Sequence, residues 1–186
     1  SCIPEARSAS MAIRWLVLDV DGVLTDGRLY YGDDGQVLRA FHIRDGSAIV
    51  LAPRAGLSIA VVSGRADPAV RRRMAELGVQ EVHLGVTHKV AVLRDLAARY
   101  GVSLSEIAFM GDDVQDLPAF EVVGYRMTVP DAPPEVRVRA DWVSPVPGGQ
   151  GAVRAAIEHL LAQRGVRLVD VARQVLQAED LVSGDG

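Results

Sequence analysis

Short apolar runs alternate with segments of helical periodicity along most of the chain. The apolar runs have the length of buried strands and cover residues 14–20, 57–62, 81–84, 106–110, 124–129 and 140–143. Apolar positions at helical spacing lie between them and after them, over residues 45–54, 67–77, 88–100, 114–122, 133–138, 152–163 and 167–181. This alternation is typical of a parallel sheet flanked by helices. We therefore predict an α/β fold with a Rossmann-like sheet.

One interval departs from the alternation. Residues 27–41 contain two short β-rich runs around Gly32-Asp33-Asp34-Gly35, a pattern typical of a β-hairpin. Because this interval follows the first strand directly, we expect the hairpin to lie as a small flap over the carboxyl edge of the sheet.

Composition and charge set the limits on size and on function. The chain has 186 residues, 49% of them hydrophobic, and a net charge of -4, which suits one globular domain, predicted over 12–164. Residues 1–11 are predicted to be a disordered extension, and residues 165–186 a tail that is partly helical or mobile.

Several classes of function are disfavoured by the same numbers. The one basic cluster, Arg65 with Arg71–Arg73, is too short to predict nucleic-acid binding, and aromatic residues make up only 5%. A single cysteine, Cys2, allows no disulfide and no cysteine-based zinc site within one chain. No apolar run reaches the length of a membrane span, and we expect a cytoplasmic location.

The most informative stretch is the apolar run that ends in Asp19-Val20-Asp21-Gly22. Two carboxylates this close are costly to bury unpaired, so the pattern indicates a cation, and hard oxygen ligands suit Mg²⁺. Taken alone, the same residues also fit a strand end followed by an ordinary Asp-Gly turn.

Further polar residues follow other predicted strands. Ser63 ends the second core strand, Asp112 and Asp113 end a later one, and Lys89 begins the helix after the short strand at 81–84. Ligands of open parallel sheets bind at the carboxyl ends of the strands, so these side chains are expected to converge.

Together these residue types suit phosphoryl transfer. Asp19 could attack phosphorus as a nucleophile, while Asp21 protonates the leaving oxygen and then activates water. Mg²⁺ held by Asp19, Asp112 and a backbone carbonyl would neutralise part of the charge. Lys89 and the Ser63 hydroxyl would hold phosphoryl oxygens.

The motifs resemble those of a known superfamily. Residues 19–26, 61–65 and 111–116, together with Lys89, resemble in order the motifs of the haloacid dehalogenase superfamily. Residues 41–46 and 148–154 are similar to the 3-deoxy-D-manno-octulosonate 8-phosphate phosphatase group, which includes relatives acting on nine-carbon, sialic-acid-type 9-phosphates. The resemblance covers roughly residues 12–164.

The resemblance implies a role for each motif residue. Asp19 would be the nucleophile and Asp21 the general acid/base, and Mg²⁺ would bind Asp19, the Asp21 carbonyl and Asp112, with Asp113 assisting through water. The remaining implied roles are phosphoryl binding by Ser63, Gly64 and Lys89, and orientation of Lys89 by Asp116.

The same resemblance implies a small, cap-less enzyme that assembles as a homotetramer, with a neighbouring subunit closing the site. No long insert separates Asp21 from Ser63 or Ser63 from Lys89, in agreement with a cap-less fold. Arg65 and Arg73 become candidates for the sugar-acid carboxylate, Arg73 from the adjacent subunit. The flap residues Arg44 and Asp45 are further substrate-binding candidates, although Asp45 also suits the N-cap of its own helix.

The predicted function is a Mg²⁺-dependent phosphatase of 3-deoxy-D-manno-octulosonate 8-phosphate. Gln150 and Ala155 stand where the group often has Arg and Glu, so a nine-carbon 9-phosphate remains an alternative substrate. A non-catalytic oligomerisation module is a second alternative, but it would not need the Asp19/Asp21 pair. A phosphomutase would normally need a cap to exclude water.

Overall fold

The computed structural model describes residues 12–183, and its centre is a six-stranded parallel sheet in the order β5-β4-β1-β6-β7-β8. The strands of this sheet are β1 (Trp15–Leu18), β4 (Ser58–Ser63), β5 (Glu81–Leu84), β6 (Ile107–Met110), β7 (Tyr125–Thr128) and β8 (Trp142–Val143). All of them lie within the predicted strand segments or within one residue of them, so the predicted Rossmann-like sheet is confirmed.

The central strand β1 is formed by the first apolar run, in which polar and apolar residues do not alternate. All its residues are buried, because helices cover both faces of the sheet. Leu18 lies opposite Val61 of β4 and Met110 of β6. The Asp19 N–H then donates to the Met110 carbonyl at 3.0 Å, so β1 ends level with β6, while β4 continues two residues further to Ser63. The carboxyl ends of β1, β4 and β6 therefore meet at one place.

Helices pack on both sides of the sheet. They are α1 (Ile43–Leu51), α2 (Pro68–Glu76), α3 (Lys89–Tyr100), α4 (Leu117–Val122), α5 (Pro134–Arg137), α6 (Ala152–Ala162) and α7 (Leu168–Ser183). The predicted helix over 114–122 begins as a 3₁₀ turn at Val114–Asp116 before α4 starts. Asp113 caps this turn, and the Asp116 side chain accepts from the N-cap backbone.

The beginning of α1 differs from the prediction that Asp45 caps its own helix. His42 is the N-cap, and its Nδ1 accepts from the Arg44 N–H at 3.2 Å. Asp45 is buried and accepts instead from the Arg154 N–H of α6 at 2.9 Å. Burial raises the pKa of Asp45, and this hydrogen bond opposes the rise. Asp45 therefore accepts from an N–H in the first turn of α6, whose N-cap is Gly151, and local sequence does not indicate this partner.

The predicted hairpin is present but short. Strands β2 (Tyr30–Tyr31) and β3 (Val37–Leu38) pair antiparallel in a separate two-stranded sheet. Between Asp21 and Ser63 the chain adds only this flap, α1, a 3₁₀ turn and β4, and between Ser63 and Lys89 only α2 and β5. The absence of a large cap domain is thus confirmed.

The two ends of the chain were predicted separately from the domain. Residues 1–11, predicted to be a disordered extension, lie outside the described residues. Helix α7 packs against α1 and the 3₁₀ turn at Ala52–Ala55, and buries Leu168 and Val171. The proposed boundary between residues 164 and 165 stays a prediction. Among the described helices, none has the length and apolar character to cross a membrane.

Candidate active site

The chain turns sharply after β1, and this turn builds the centre of the site. Residues Val20–Leu24 form one wide turn in which Gly22 has a φ of 81°. Asp19 is buried at its start, and its Oδ1 accepts from the Val20 N–H at 2.8 Å. A Cβ atom on Gly22 would overlap the Asp112 carboxylate. Glycine is needed here both for the backbone conformation and for the close approach of Asp112.

The glycine-rich segment after β8 supports this turn from the other side. The Gly149 N–H donates to the Val23 carbonyl at 3.2 Å. A Cβ atom on Gly148 would overlap the Gly22 carbonyl oxygen. The two glycines thus let one backbone pack directly on another, a role that the sequence analysis did not identify.

Lys89 joins two of the carboxylates at the carboxyl edge of the sheet. Its Nζ lies 2.6 Å from Asp116 Oδ1 and 3.3 Å from Asp19 Oδ1. The second oxygen of Asp116 accepts from the N–H groups of Asp112 and Asp113, at 3.0 and 3.3 Å. Burial works to lower the pKa of Lys89, but Asp19 and Asp116 outweigh it and raise that pKa. Lys89 is therefore a fixed cation at the site.

The donor set fits a divalent cation. Carboxylate oxygens of Asp19, Asp112 and Asp116 lie within 4.8 Å of one another. Burial, followed by the charge of Asp116, raises the pKa of Asp19 to about 7. Burial and the charges of Asp19 and Asp116 raise the pKa of Asp112 to about 8. Such crowding of anions favours binding of a hard cation, and carboxylates are ligands suited to Mg²⁺.

Asp116 belongs to this group by distance, but both of its oxygens already have partners. One contacts Lys89 and the other accepts the two backbone N–H groups. The geometry therefore suits the orienting role that the resemblance implies for Asp116, and it leaves Asp19 and Asp112 as the carboxylates available to a metal ion.

A cleft of about 520 Å³ opens above these residues. Of the residues predicted for the site, those that line this cleft are Asp19, Asp21, Ser63, Gly64, Arg65, Lys89, Asp112 and Asp113. Gly27, Val86, Thr87 and Gln115 also line it and were not predicted as site residues. Ser63 is buried at the base, where its Oγ accepts from the Arg65 N–H at 3.3 Å. Residues from separate motifs thus meet in one polar cavity.

Three substrate-binding candidates lie outside this cleft within one chain. Arg44 lines a separate cavity of about 380 Å³ beside α6. Asp45 is buried against α6, as described above. Arg73 lies on α2, where its Nη1 is 3.5 Å from Glu76 Oε2. The role of Arg73 toward an adjacent subunit stays a prediction, as do the roles of Arg44 and Asp45.

Arg39 is a residue of the site that sequence reasoning missed. It follows β3 at the base of the flap, and its side chain is only 2% exposed. Its Nε lies 3.0 Å from Asp21 Oδ1, and its Nη1 forms an ion pair with Asp67. No local pattern marks it, because both partners are distant in sequence.

Comparisons with known proteins agree with this geometry. The family model for haloacid dehalogenase-like hydrolases matches residues 80–156. The 3-deoxy-D-manno-octulosonate 8-phosphate phosphatase KdsC of Haemophilus influenzae is 40% identical over 89% of this chain and 93% of its own. The Escherichia coli K12 enzyme of the same name is 40% identical over 82% of this chain and 81% of its own. The chain belongs to this phosphatase family.

A solved structure of one relative carries ligands. The phosphatase of this name from Moraxella catarrhalis, in complex with a magnesium ion, a phosphate ion and a KDO molecule, matches with a TM-score of 0.79 and 34% identity. The match covers 81% of this chain and 87% of that one. As a member of the family, this chain is a phosphomonoester hydrolase, so the non-catalytic module and the phosphomutase are not supported.

Proposed function

We propose that this chain hydrolyses 3-deoxy-D-manno-octulosonate 8-phosphate to the free sugar acid and phosphate, with Mg²⁺ as cofactor. The observation that carries the proposal is the convergence of Asp19, Asp21, Ser63, Lys89 and Asp112 on one cleft, in a chain 40% identical to enzymes named for this reaction. An aspartyl phosphate on Asp19 is the proposed intermediate.

The first step transfers the phosphoryl group to Asp19. An Asp19 carboxylate oxygen forms a bond to phosphorus while the bond from phosphorus to the sugar oxygen breaks. Asp21 gives its proton to that leaving oxygen. Lys89, 3.3 Å from Asp19, and the hydroxyl of Ser63 at the base of the cleft bind the phosphoryl oxygens, and the Gly64 backbone lies beside them.

The second step returns the enzyme to its starting state. Asp21, now a carboxylate, accepts a proton from water as the water oxygen attacks phosphorus. The bond between phosphorus and Asp19 then breaks, and inorganic phosphate is released. Asp21 lines the cleft together with Asp19, so one carboxyl group can serve both steps.

Asp19, the Asp21 carbonyl and Asp112 would hold Mg²⁺, and Asp113 would assist through water. When bound, the ion supplies positive charge that offsets the repulsion between the nucleophile and the phosphate. The crowding of the described carboxylates supports this assignment, since burial and neighbouring anions raise the pKa of Asp19 to about 7 and that of Asp112 to about 8.

Recognition of the sugar acid is assigned to arginine. Arg65 lines the cleft with a side chain that is 59% exposed, and its Nε lies 3.6 Å from Asp21 Oδ2. The exposed part of its guanidinium can bind a substrate carboxylate. Arg73 of an adjacent subunit is the second candidate, with Arg44 and Asp45 in supporting positions.

The proposal includes a homotetramer. The flap and the start of α1 expose Tyr30, Tyr31, Leu38 and Ile43, a set of large apolar side chains that a neighbouring subunit could cover. Light scattering should report four subunits for the wild type and fewer for Tyr31→Glu; a monomeric wild type would contradict the assembly. A cytoplasmic location is also proposed, with the single cysteine as support, and cell fractionation tests it.

The decisive experiment compares phosphate release from eight-carbon and nine-carbon keto-acid phosphates at equal concentration. We expect the eight-carbon 8-phosphate to give the highest kcat/KM, with the Asp19→Asn enzyme as the inactive control. A higher kcat/KM for a nine-carbon 9-phosphate would replace the proposed substrate but keep the chemistry. No phosphate release from any substrate of the set would contradict both.

A further inference from the structure

We infer that Arg39 is a positioning residue for the acid/base Asp21. The inference rests on the proposed function, because it concerns the carboxyl group to which that function assigns both proton transfers. Arg39 does not line the cleft, so it would act through Asp21 and not by binding substrate.

The Arg39 side chain is almost completely buried. It is 2% exposed, although arginine is rarely buried unless it is paired. The guanidinium lies between two carboxylates: Nε is 3.0 Å from Asp21 Oδ1, and Nη1 pairs with Asp67. A planar guanidinium can hold two carboxylates in fixed relative positions, which an ammonium group cannot do equally well.

The Asp21 side chain needs an anchor that the sheet does not provide. It is 31% exposed and lies in a turn, not in the sheet. The other cation near it, Arg65, has its Nε 3.6 Å from Asp21 Oδ2 and a side chain that is 59% exposed. An exposed arginine at that distance restrains a carboxylate weakly. Arg39 is therefore the buried anchor.

The partner Asp67 is itself held in place by helix α2. Asp67 is the N-cap of α2, and its Oδ1 accepts from the Ala69 N–H at 2.8 Å, while Oδ2 faces Arg39. The helix thus fixes Asp67, Asp67 fixes one end of the guanidinium, and the other end fixes Asp21. The residue that completes this chain comes from the base of the flap.

The test uses leaving groups of different basicity. A sugar alcohol is a poor leaving group and needs the proton of Asp21, whereas p-nitrophenolate leaves without one; attack by water on the Asp19 phosphate needs Asp21 in both cases. In Arg39→Met we expect kcat for the alkyl phosphate to fall about 100-fold with KM within about twofold. With p-nitrophenyl phosphate we expect a burst of about one nitrophenolate per site, followed by slow turnover.

Two further variants separate positioning from structure. Arg39→Lys keeps the charge and should recover kcat to within about tenfold of the wild type. Asp67→Asn keeps the N-cap of α2, a neutral oxygen that can accept from Arg39, and the Arg39–Asp21 pair. It weakens the anchor without removing it, so it should lose clearly less activity than Arg39→Met. The inference is overturned if Arg39→Met turns over the alkyl phosphate normally, shows no burst, or loses no more activity than Asp67→Asn.

The outcome is independent of the identity of the substrate. Any alkyl phosphate that the wild type hydrolyses serves as the first probe, and the burst uses p-nitrophenyl phosphate. If the eight-carbon substrate fails but the burst appears in Arg39→Met, the proposed substrate is wrong and the role of Arg39 stands. If the eight-carbon substrate is hydrolysed and the burst is missing, the proposed substrate stands and the role assigned to Arg39 is wrong.

Discussion

Two clusters of charged side chains in this molecule are built in opposite ways. At β5, Glu81 accepts from both Nη atoms of Arg99, at 2.6 and 2.9 Å, and from the Tyr100 hydroxyl at 2.7 Å. These hydrogen bonds lower the pKa of Glu81 to about 2, and the bonds with Arg99 have the largest effect. In the cleft, burial first and neighbouring anions second raise the pKa of Asp19 to about 7 and that of Asp112 to about 8.

The contrast shows which cluster serves stability and which serves chemistry. In the Glu81 cluster, both carboxylate oxygens of Glu81 accept hydrogen bonds, so the ionised form of Glu81 stabilises the fold. The cleft crowds several anions around the one ammonium of Lys89, an arrangement that costs stability until a cation binds. Folded proteins tolerate such local conflict mainly at functional sites.

The strongest test of the contrast is Asp19→Asn. The change removes the proposed nucleophile, so we expect kcat to fall by about 10⁴-fold or more, in line with the loss of a group that forms the covalent intermediate. The free energy of unfolding should not fall, because the change also removes one crowded anion. Phosphate release and urea denaturation measure the two effects.

Asp26→Asn is the matched control for this change. Asp26 lies in the same loop, does not line the cleft, and its Oδ1 accepts from the Arg28 N–H at 2.9 Å, a bond that asparagine can keep. It should retain nearly full activity. Turnover by Asp19→Asn at more than about a hundredth of the wild-type rate would exclude Asp19 as the nucleophile.

The next effect in size is expected for Lys89→Met. Loss of a charged donor to the phosphoryl group should reduce kcat by about 10²–10³-fold. Without Mg²⁺ the variant should also unfold at lower urea concentration than the wild type, because Asp116, with a fully buried side chain, loses its cation. Lys89→Arg keeps the charge in a group of different shape, so its kcat should lie between those of the wild type and Lys89→Met. Equal kcat for wild type and Lys89→Met would remove Lys89 from the reaction.

A smaller effect is expected for Asp112→Asn, measured as thermal stability with and without Mg²⁺. Saturating Mg²⁺ should stabilise the wild type by about 1–3 kcal/mol, since the ion binds only the folded state. Without the ion, Asp112→Asn should melt at or above the wild-type temperature, because one crowded anion is gone. With the ion, the variant should show little further gain. A full Mg²⁺ response in Asp112→Asn would rule out Asp112 as a ligand.

The residues brought together in the cleft were largely predictable from the sequence. Asp19, Ser63 and Asp112 follow apolar runs directly, and parallel strands bring their carboxyl ends to one edge. Lys89 was expected beside them because it begins the helix after β5. Their catalytic roles stay predictions, since geometry alone does not test them.

The contacts between distant segments were not predictable. Asp45 looked like a local N-cap, yet its hydrogen bond goes to Arg154 on another helix. Arg39 carried no signal, because its burial depends on how the flap folds over Asp21 and Asp67. Gly148 and Gly149 fitted an ordinary turn, and only the three-dimensional structure shows their close packing on the loop after β1. Local patterns predict elements, whereas these contacts depend on tertiary packing.

The smallest effect concerns the Glu81 cluster, where Glu81→Gln should lower the free energy of unfolding at pH 7 by about 1–2 kcal/mol. The folded pKa of Glu81 is lowered from 4.5 to about 2, so its stabilisation is present above pH 4.5 and is lost as the pH falls toward 2. The difference between wild type and variant should therefore shrink across that window. Urea denaturation at pH 7, 5, 4 and 3 measures it, and kcat should not change.

Asp95→Asn is the control that makes this result specific. Asp95 also contacts Arg99, at 2.8 Å, but its side chain is 59% exposed against 12% for Glu81. An exposed pair one helical turn apart contributes only about 0.3–0.5 kcal/mol, so this variant should unfold almost as the wild type does. If Glu81→Gln also costs no more than that, or if its effect does not shrink between pH 4.5 and 2, the cluster does not stabilise the fold through an ionised Glu81. The proposed difference between the two clusters would then be wrong for the Glu81 cluster, because that cluster would not serve stability.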